Sequence, residues 1–214
     1  MSRIKLLLMV LLGFFPTMAW AQSLPTQSEW LDHLRLGGYV IVFRHGATVS
    51  DQTSMDPMSK PADGKKVAPG ERQLSEAGRA QAKAVGVAMR RLKIPVGLVL
   101  TSPLQRAVDT GTLLAYGEVT TIAELAEAGS AVSFEETKRR ADTLRQLVAM
   151  HPPADNNLII VTHKPTLTEA FGKDWSAVKE GEASIFESDP AGNGYKLVLR
   201  IRAEEWTALL QATE

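Results

Sequence analysis

Three clusters of chemically capable residues each follow a short apolar run. Arg44-His45-Gly46 closes the run Tyr39-Val40-Ile41-Val42-Phe43, Ser102 and Arg106 follow Leu98-Val99-Leu100-Thr101, and His163 follows Leu158-Ile159-Ile160-Val161-Thr162. Arginine holds anions in a planar, bidentate geometry with permanent charge. Histidine supplies a nucleophile or base, because its neutral form is abundant near pH 7. Glycine lets a ligand approach the backbone closely. Two arginines, two histidines and a helix start together suit a compact dianion, and phosphate is the obvious one.

The elements that must bring these residues together are legible in the apolar pattern. The three runs read as buried strands of a parallel sheet, whose ends on one edge form the ligand crevice. Helices are expected over Gln27 to Leu36, with Ser28 as N-cap, and over Ser75 to Leu92, with Ala77, Ala80, Ala84, Val87 or Ala88, and Leu92 as the apolar stripe. Ser102 as N-cap and Pro103 at the first helical position predict a third helix running to about Tyr116, with Arg106 one turn in. A short strand is expected around Val119 to Ile122. Ser133 and Glu136 form a capping box for a fourth helix, which presents Phe134, Thr137, Ala141, Leu144 and Val148 on one face and stops at Pro152-Pro153. Ala183 to Glu187 and Tyr195 to Arg202 read as a final strand pair, and Glu204 to Gln211 as a last helix. The alternation predicts an α/β fold, a three-layer, doubly wound, mostly parallel sheet with helices on both faces.

Composition narrows the function classes. The chain has 214 residues, is 44% hydrophobic, carries zero formal net charge and contains no cysteine. It has room for one domain with a substantial core. Zero net charge argues against nucleic acid as a bulk partner, and the missing cysteines exclude thiolate chemistry. Arg3 and Lys5, an apolar run to Phe15 and the Ala19-Trp20-Ala21 step form the pattern of a secretory signal peptide over 1–21, cleaved after Ala21. The run is too short for a comfortable membrane span, so no stable membrane insertion is expected. A single domain over 22–214, periplasmic or secreted, follows. Nothing in the sequence specifies an oligomeric state.

Four ordered segments resemble the histidine phosphatase superfamily, also called the phosphoglycerate mutase-like group: Arg44-His45-Gly46-Ala47-Thr48, Leu74-Ser75-Glu76-Ala77-Gly78-Arg79-Ala80-Gln81-Ala82, Thr101-Ser102-Pro103-Leu104-Gln105-Arg106-Ala107 and Val161-Thr162-His163. The resemblance implies that His45 attacks phosphorus and forms a phosphohistidine, while Arg44, Arg106 and His163 hold the non-bridging oxygens. It further implies a carboxylic acid that protonates the leaving oxygen. In the smaller branch of the family this acid lies in a Leu-x-Glu segment. Leu125-Ala126-Glu127 matches and makes Glu127 the expected donor, with Glu124 its nearest rival. Thr48, Ser102 and Lys164 complete the expected substrate-binding set, although for Lys164 a solvated position is favoured over a place on the pocket rim.

The chain departs from the mutase branch. Ala47 stands where a Glu is usual, Lys164-Pro165-Thr166 replaces a common Gly after the second histidine, and the Trp-Glu-Gly segment is missing. These differences favour hydrolysis over mutase or bisphosphatase activity, on a small phosphorylated molecule or an envelope glycan such as a lipopolysaccharide heptose phosphate. Export disfavours a protein phosphohistidine as substrate. A non-catalytic domain that binds phosphorylated glycans is the reading from a different class; it keeps Arg44 and Arg106 and dispenses with Glu127.

No metal or cofactor is expected, because no His-Glu-x-x-His, P-loop or Gly-x-Ser-x-Gly pattern occurs. His33 reads as a surface or packing residue, and His151 as capping a helix end before Pro152-Pro153, where an imidazolium suits the dipole; neither is given a catalytic role. Asp51 and Asp56, in the polar loop Ala47 to Arg72, either orient substrate or solubilise the loop.

Overall fold

The computed structural model describes residues 27–49, 71–127, 132–153 and 155–213. The signal segment and the carboxylates Asp51 and Asp56 lie outside the described residues. A six-stranded sheet has the order β3-β2-β4-β1-β5-β6. Its members are β1 (Tyr39–Arg44), β2 (Val96–Thr101), β3 (Val119–Thr121), β4 (Asn157–Thr162), β5 (Ala183–Asp189) and β6 (Gly194–Ile201). The first four run parallel, and the β5–β6 hairpin adds antiparallel to β1.

Alternation along the strands divides the core. Ile41, Phe43, Val99, Ile159 and Val161 face one side and pack against α1 (Gln27–Leu36), α2 (Glu76–Arg91), α3 (Gln105–Leu114) and α6 (Ala203–Thr213). Val40, Val42, Leu100, Leu158 and Ile160 face the other and pack against α4 (Phe134–Ala149) and α5 (Lys164–Phe171). Both faces being covered, the central strands are apolar throughout. Between α1 and β1 the chain turns through Gly37, whose φ of +78° and 2.4 Å approach of a notional Cβ to the Asn156 backbone leave no room for a side chain.

Several local expectations shift. Helix α1 already includes Gln27, so Ser28 lies within it rather than capping it. The buried face of α2 is Gly78, Ala82, Val85, Gly86, Ala88 and Met89; of the expected stripe Ala88 and Leu92 are buried, whereas Ala77, Ala80, Ala84 and Val87 are exposed. Glycines set this face: helix α2 approaches other backbone at Gly78 and Gly86 too closely for any side chain. Phe134 opens α4 at 72% exposure, outside the Ala141, Leu144 and Val148 seam. Strand β2 is buried only in its second half; after a register shift between Val96 and Leu98, Leu98 remains 45% exposed. Helix α5, with Pro165 in its first turn, is an element the sequence reading did not anticipate.

Candidate active site

The register fixes where the reactive residues meet. Arg44 pairs with Thr162 across β1–β4, and Thr101 pairs with Val161 across β2–β4, so all three strands end at one edge. His45, Ser102 and His163 are the next residues in each case. His45 and His163 are 1% and 0% exposed, with ring centroids 5.2 Å apart.

Each side chain is held by identifiable neighbours. Nδ1 of His45 lies 2.8 Å from the Gly46 carbonyl. Donation there assigns the proton to Nδ1 and leaves the Nε2 lone pair free. The Gly46 N–H donates to the Thr110 hydroxyl at 3.0 Å, and that hydroxyl donates to the Arg106 carbonyl. Burial, followed by the charges of Arg106 and Arg44, pushes the His45 imidazole down to about 3, despite an opposing contribution from its bond to Gly46. His163 is lowered as well, first by burial and then by Arg106. Both rings are therefore neutral at pH 7.

Ser102 lies 2.7 Å from His163 Nε2 and accepts the Leu104 N–H at 3.2 Å. Its expected role as a helix cap is overturned: α3 begins at Gln105, with Leu104 as N-cap and no side-chain cap. Pro103 thus precedes the helix, and Arg106 is its second residue. The Ser102 hydroxyl is spent on the histidine and on the turn that leads into the helix.

Arg106 is buried and Arg44 half-buried, and both are hydrogen-bonded. Arg44 donates to the Val178 carbonyl at 2.8 Å and to Glu180 at 3.0 Å. Thr48 donates to the same Glu180 oxygen at 3.2 Å. Arg106 is 3% exposed, bonds Glu127 and stands 3.9 Å from Glu71. Burial lowers the pKa of both guanidiniums from its ordinary value. Nε of Arg44, Nε of Arg106 and Nδ1 of His163 are buried without a hydrogen-bond partner among the described residues. Buried donors of this kind are costly unless a ligand satisfies them.

Glu127 lies at this cluster, one oxygen on Arg106 and the other 4.0 Å from His163 Nδ1. Glu124 points elsewhere, pairing with Arg139 at 2.8 Å on an exposed surface. Lys164 is exposed as the first residue of α5, the solvated position.

Three charged residues join the site unforeseen. Glu71 accepts the backbone N–H of Gln105 at the start of α3, and burial raises its pKa. Glu180 holds Arg44. The charge of Arg72 acts on both histidines and both arginines. Their only signal in the sequence was position: Glu71 and Arg72 end the polar segment that begins after the first motif.

Residues 40–132 match the family model of the histidine phosphatase superfamily (branch 1). No curated protein matches the chain significantly. Similar solved structures include the protein histidine phosphatase SixA complexed with tungstate, at 15% identity and a TM-score of 0.55, covering 78% of this chain and 98% of that one. A phosphoserine phosphatase variant from Entamoeba histolytica, complexed with phosphoserine, gives the same identity, coverage and TM-score. A mycobacterial hydrolase matches at 17% identity and a TM-score of 0.51, covering 76% of this chain and 97% of that one. These likenesses establish the histidine phosphatase fold for the α/β sheet described above.

Proposed function

We propose that the protein is an exported phosphatase that works through a phosphohistidine on His45. It is a phosphoric monoester hydrolase. The observation that carries the mechanism is the neutral, buried His45, its Nδ1 tied to Gly46, beside Arg44, Arg106 and His163. Nε2 attacks phosphorus in line, the bond to the leaving oxygen breaks, and Glu127 gives that oxygen its proton. Water then attacks the phosphohistidine, Glu127 takes the water proton, and phosphate departs with His45 neutral again. Nε of Arg44, Nε of Arg106 and Nδ1 of His163 hold the non-bridging oxygens and stabilise the charge that builds on them. Thr48 and Ser102 act behind this layer, through Glu180 and His163 respectively.

The substrate class we favour is a small phosphorylated molecule or envelope glycan, with lipopolysaccharide heptose phosphates first. It rests on the signal-peptide pattern of residues 1–21, on a mature domain over 22–214, and on the absence of mutase features. The reaction as written uses no metal.

The test is turnover of an aryl phosphate by the purified mature protein in EDTA, with and without His45→Ala. The variant should lose activity by about 10⁴-fold or more, and acid quenching should trap phosphate on His45 in the parent. Undiminished turnover by His45→Ala would overturn the proposal. Phosphate binding without turnover across sugar phosphates, nucleotides and phosphohistidine would support a non-catalytic binding domain instead. An N-terminal sequence other than one starting at Gln22 would overturn the cleavage assignment.

A further inference from the structure

The Glu127 segment is strapped to helix α4 by a charged network that lies outside the pocket. Arg140 NH1 donates to the Glu127 carbonyl at 3.0 Å and to the Ala126 carbonyl at 3.4 Å. Its Nε donates to Glu136 at 2.8 Å. Glu136 also receives Nε and NH2 of Arg139 at 2.7 and 2.8 Å, and NH1 of Arg139 reaches Glu124 at 2.8 Å. One network thereby grips the 3-10 turn Ala123–Leu125 by its Glu124 side chain and the following stretch by its backbone. From the sheet side, the Thr162 hydroxyl donates to the Leu125 carbonyl at 2.7 Å.

We infer that Arg140 is the positioning residue for the proton donor Glu127, acting through the main chain. Three features favour this over a merely structural ion pair. Arg140 is partly buried, with a side chain 19% exposed, whereas Arg139 is 54% exposed. Its contacts to the acid segment go to carbonyls, so they fix where the Glu127 backbone sits without neutralising its carboxylate. The Glu136 carboxylate is diverted to two arginines, although Ser133 and Glu136 form the cap pattern in which it would reach back to the Ser133 backbone. A proton donor must lie within about 2.6–3.2 Å of the leaving oxygen, and a displacement of 1 Å can cost about a hundredfold. Holding the carbonyl of the very residue that carries the acid is a direct means to that precision.

The inference rests on Glu127 being the general acid, and the experiment separates the two. An acid is needed for a poor leaving group and hardly at all for a good one. The readout is the ratio of kcat/KM for 2,4-dinitrophenyl phosphate to that for glycerol phosphate. Glu127→Gln should raise this ratio at least about tenfold. Arg140→Ala should also raise it about tenfold, Arg140→Lys less, and Arg140→Ala should add almost nothing in the Glu127→Gln background. Glu136→Gln, which leaves Arg140 in place, should move the ratio in the same direction by a smaller factor. Melting temperatures of all variants identify any that fail to fold, and Arg140→Lys then carries the test. A ratio raised by Glu127→Gln but unmoved by every Arg140 variant would overturn the role of Arg140. So would additive effects. A ratio unmoved by Glu127→Gln would overturn the acid assignment itself and this inference with it.

Discussion

Glu127 bridges Arg106 and His163: one carboxylate oxygen bonds the guanidinium and the other faces Nδ1 of the imidazole at 4.0 Å. The group assigned to protonate the leaving oxygen therefore also occupies the arginine that should hold the phosphoryl group. Glu127→Gln removes both functions. We expect kcat for an alkyl phosphate to fall about 10²- to 10³-fold, while inorganic phosphate inhibits several-fold more strongly because Arg106 is no longer engaged by a carboxylate. Steady-state kinetics with phosphate as product inhibitor reads both, and weaker inhibition would contradict the bridge.

The depressed pKa of His45 makes a stability statement. Its folded value is about 3, against about 6.5 in the unfolded chain. Between those values the unfolded state binds a proton that the native state does not, so stability rises with pH through this window and falls on acidification. His163 acts in the same direction. From pH 7 to pH 5, His45 alone should cost about 2 kcal/mol. Urea midpoints of the parent and of His45→Gln at both pH values test this, and the variant should lose less by about that amount. In the same range the nucleophile stays unprotonated, so any inflection at about pH 6 in the rate of phosphohistidine formation should follow the second ionisation of the substrate phosphate and not His45.

Glu180 orients Arg44 from a loop that reaches the site only in the folded chain. Val178 and Glu180 bind the two terminal nitrogens of Arg44, and the Gly181 N–H donates to the carbonyls of Arg44 and His45 at 3.1 and 3.0 Å. Glu180→Ala leaves one of the two side-chain contacts and should lower kcat/KM about tenfold. Glu180→Gln keeps an acceptor oxygen and should lose less. Equal losses in both would mean that the charge of Glu180, rather than its hydrogen bond, carries its effect.

How far the site could be read in advance depended on the range of the signal. The three strands were legible because an apolar run bounded by glycine or proline is a local pattern, and the residue after each run inherits its place at the sheet edge. Glu180 was not legible, since it meets Arg44 across 136 positions with no marker in either segment. Ser102 was misread for the opposite reason: Ser-Pro is a strong local cap pattern, and a partner 61 positions away, His163, overrode it. The α2 stripe holds at Ala88 and Leu92 but not in the earlier turns, because alanines on several faces give little contrast there, while the close approaches that define the buried face occur at glycines.

Gly78 is where this close packing bears on catalysis. Helix α2 presses its first turn onto the backbone just after His45: a Cβ at Gly78 would lie 2.0 Å from the Ala47 carbonyl oxygen and 2.8 Å from its nitrogen. That carbonyl also accepts the N–H and hydroxyl of Ser75 at 2.9 and 3.2 Å, and the Ser75 hydroxyl caps the helix through the Gly78 N–H. In an open helix, glycine to alanine would stabilise by about 1 kcal/mol. Here the clash is with backbone, which cannot swing aside as a side-chain tip can, so the balance reverses. We expect Gly78→Ala to destabilise by about 2 kcal/mol or more. By shifting the chain two residues from the nucleophile, it should also reduce kcat more than tenfold. Thermal unfolding together with single-turnover phosphorylation of His45 checks both, and a variant more stable than the parent would show that the first turn of α2 does not bear on the nucleophile segment.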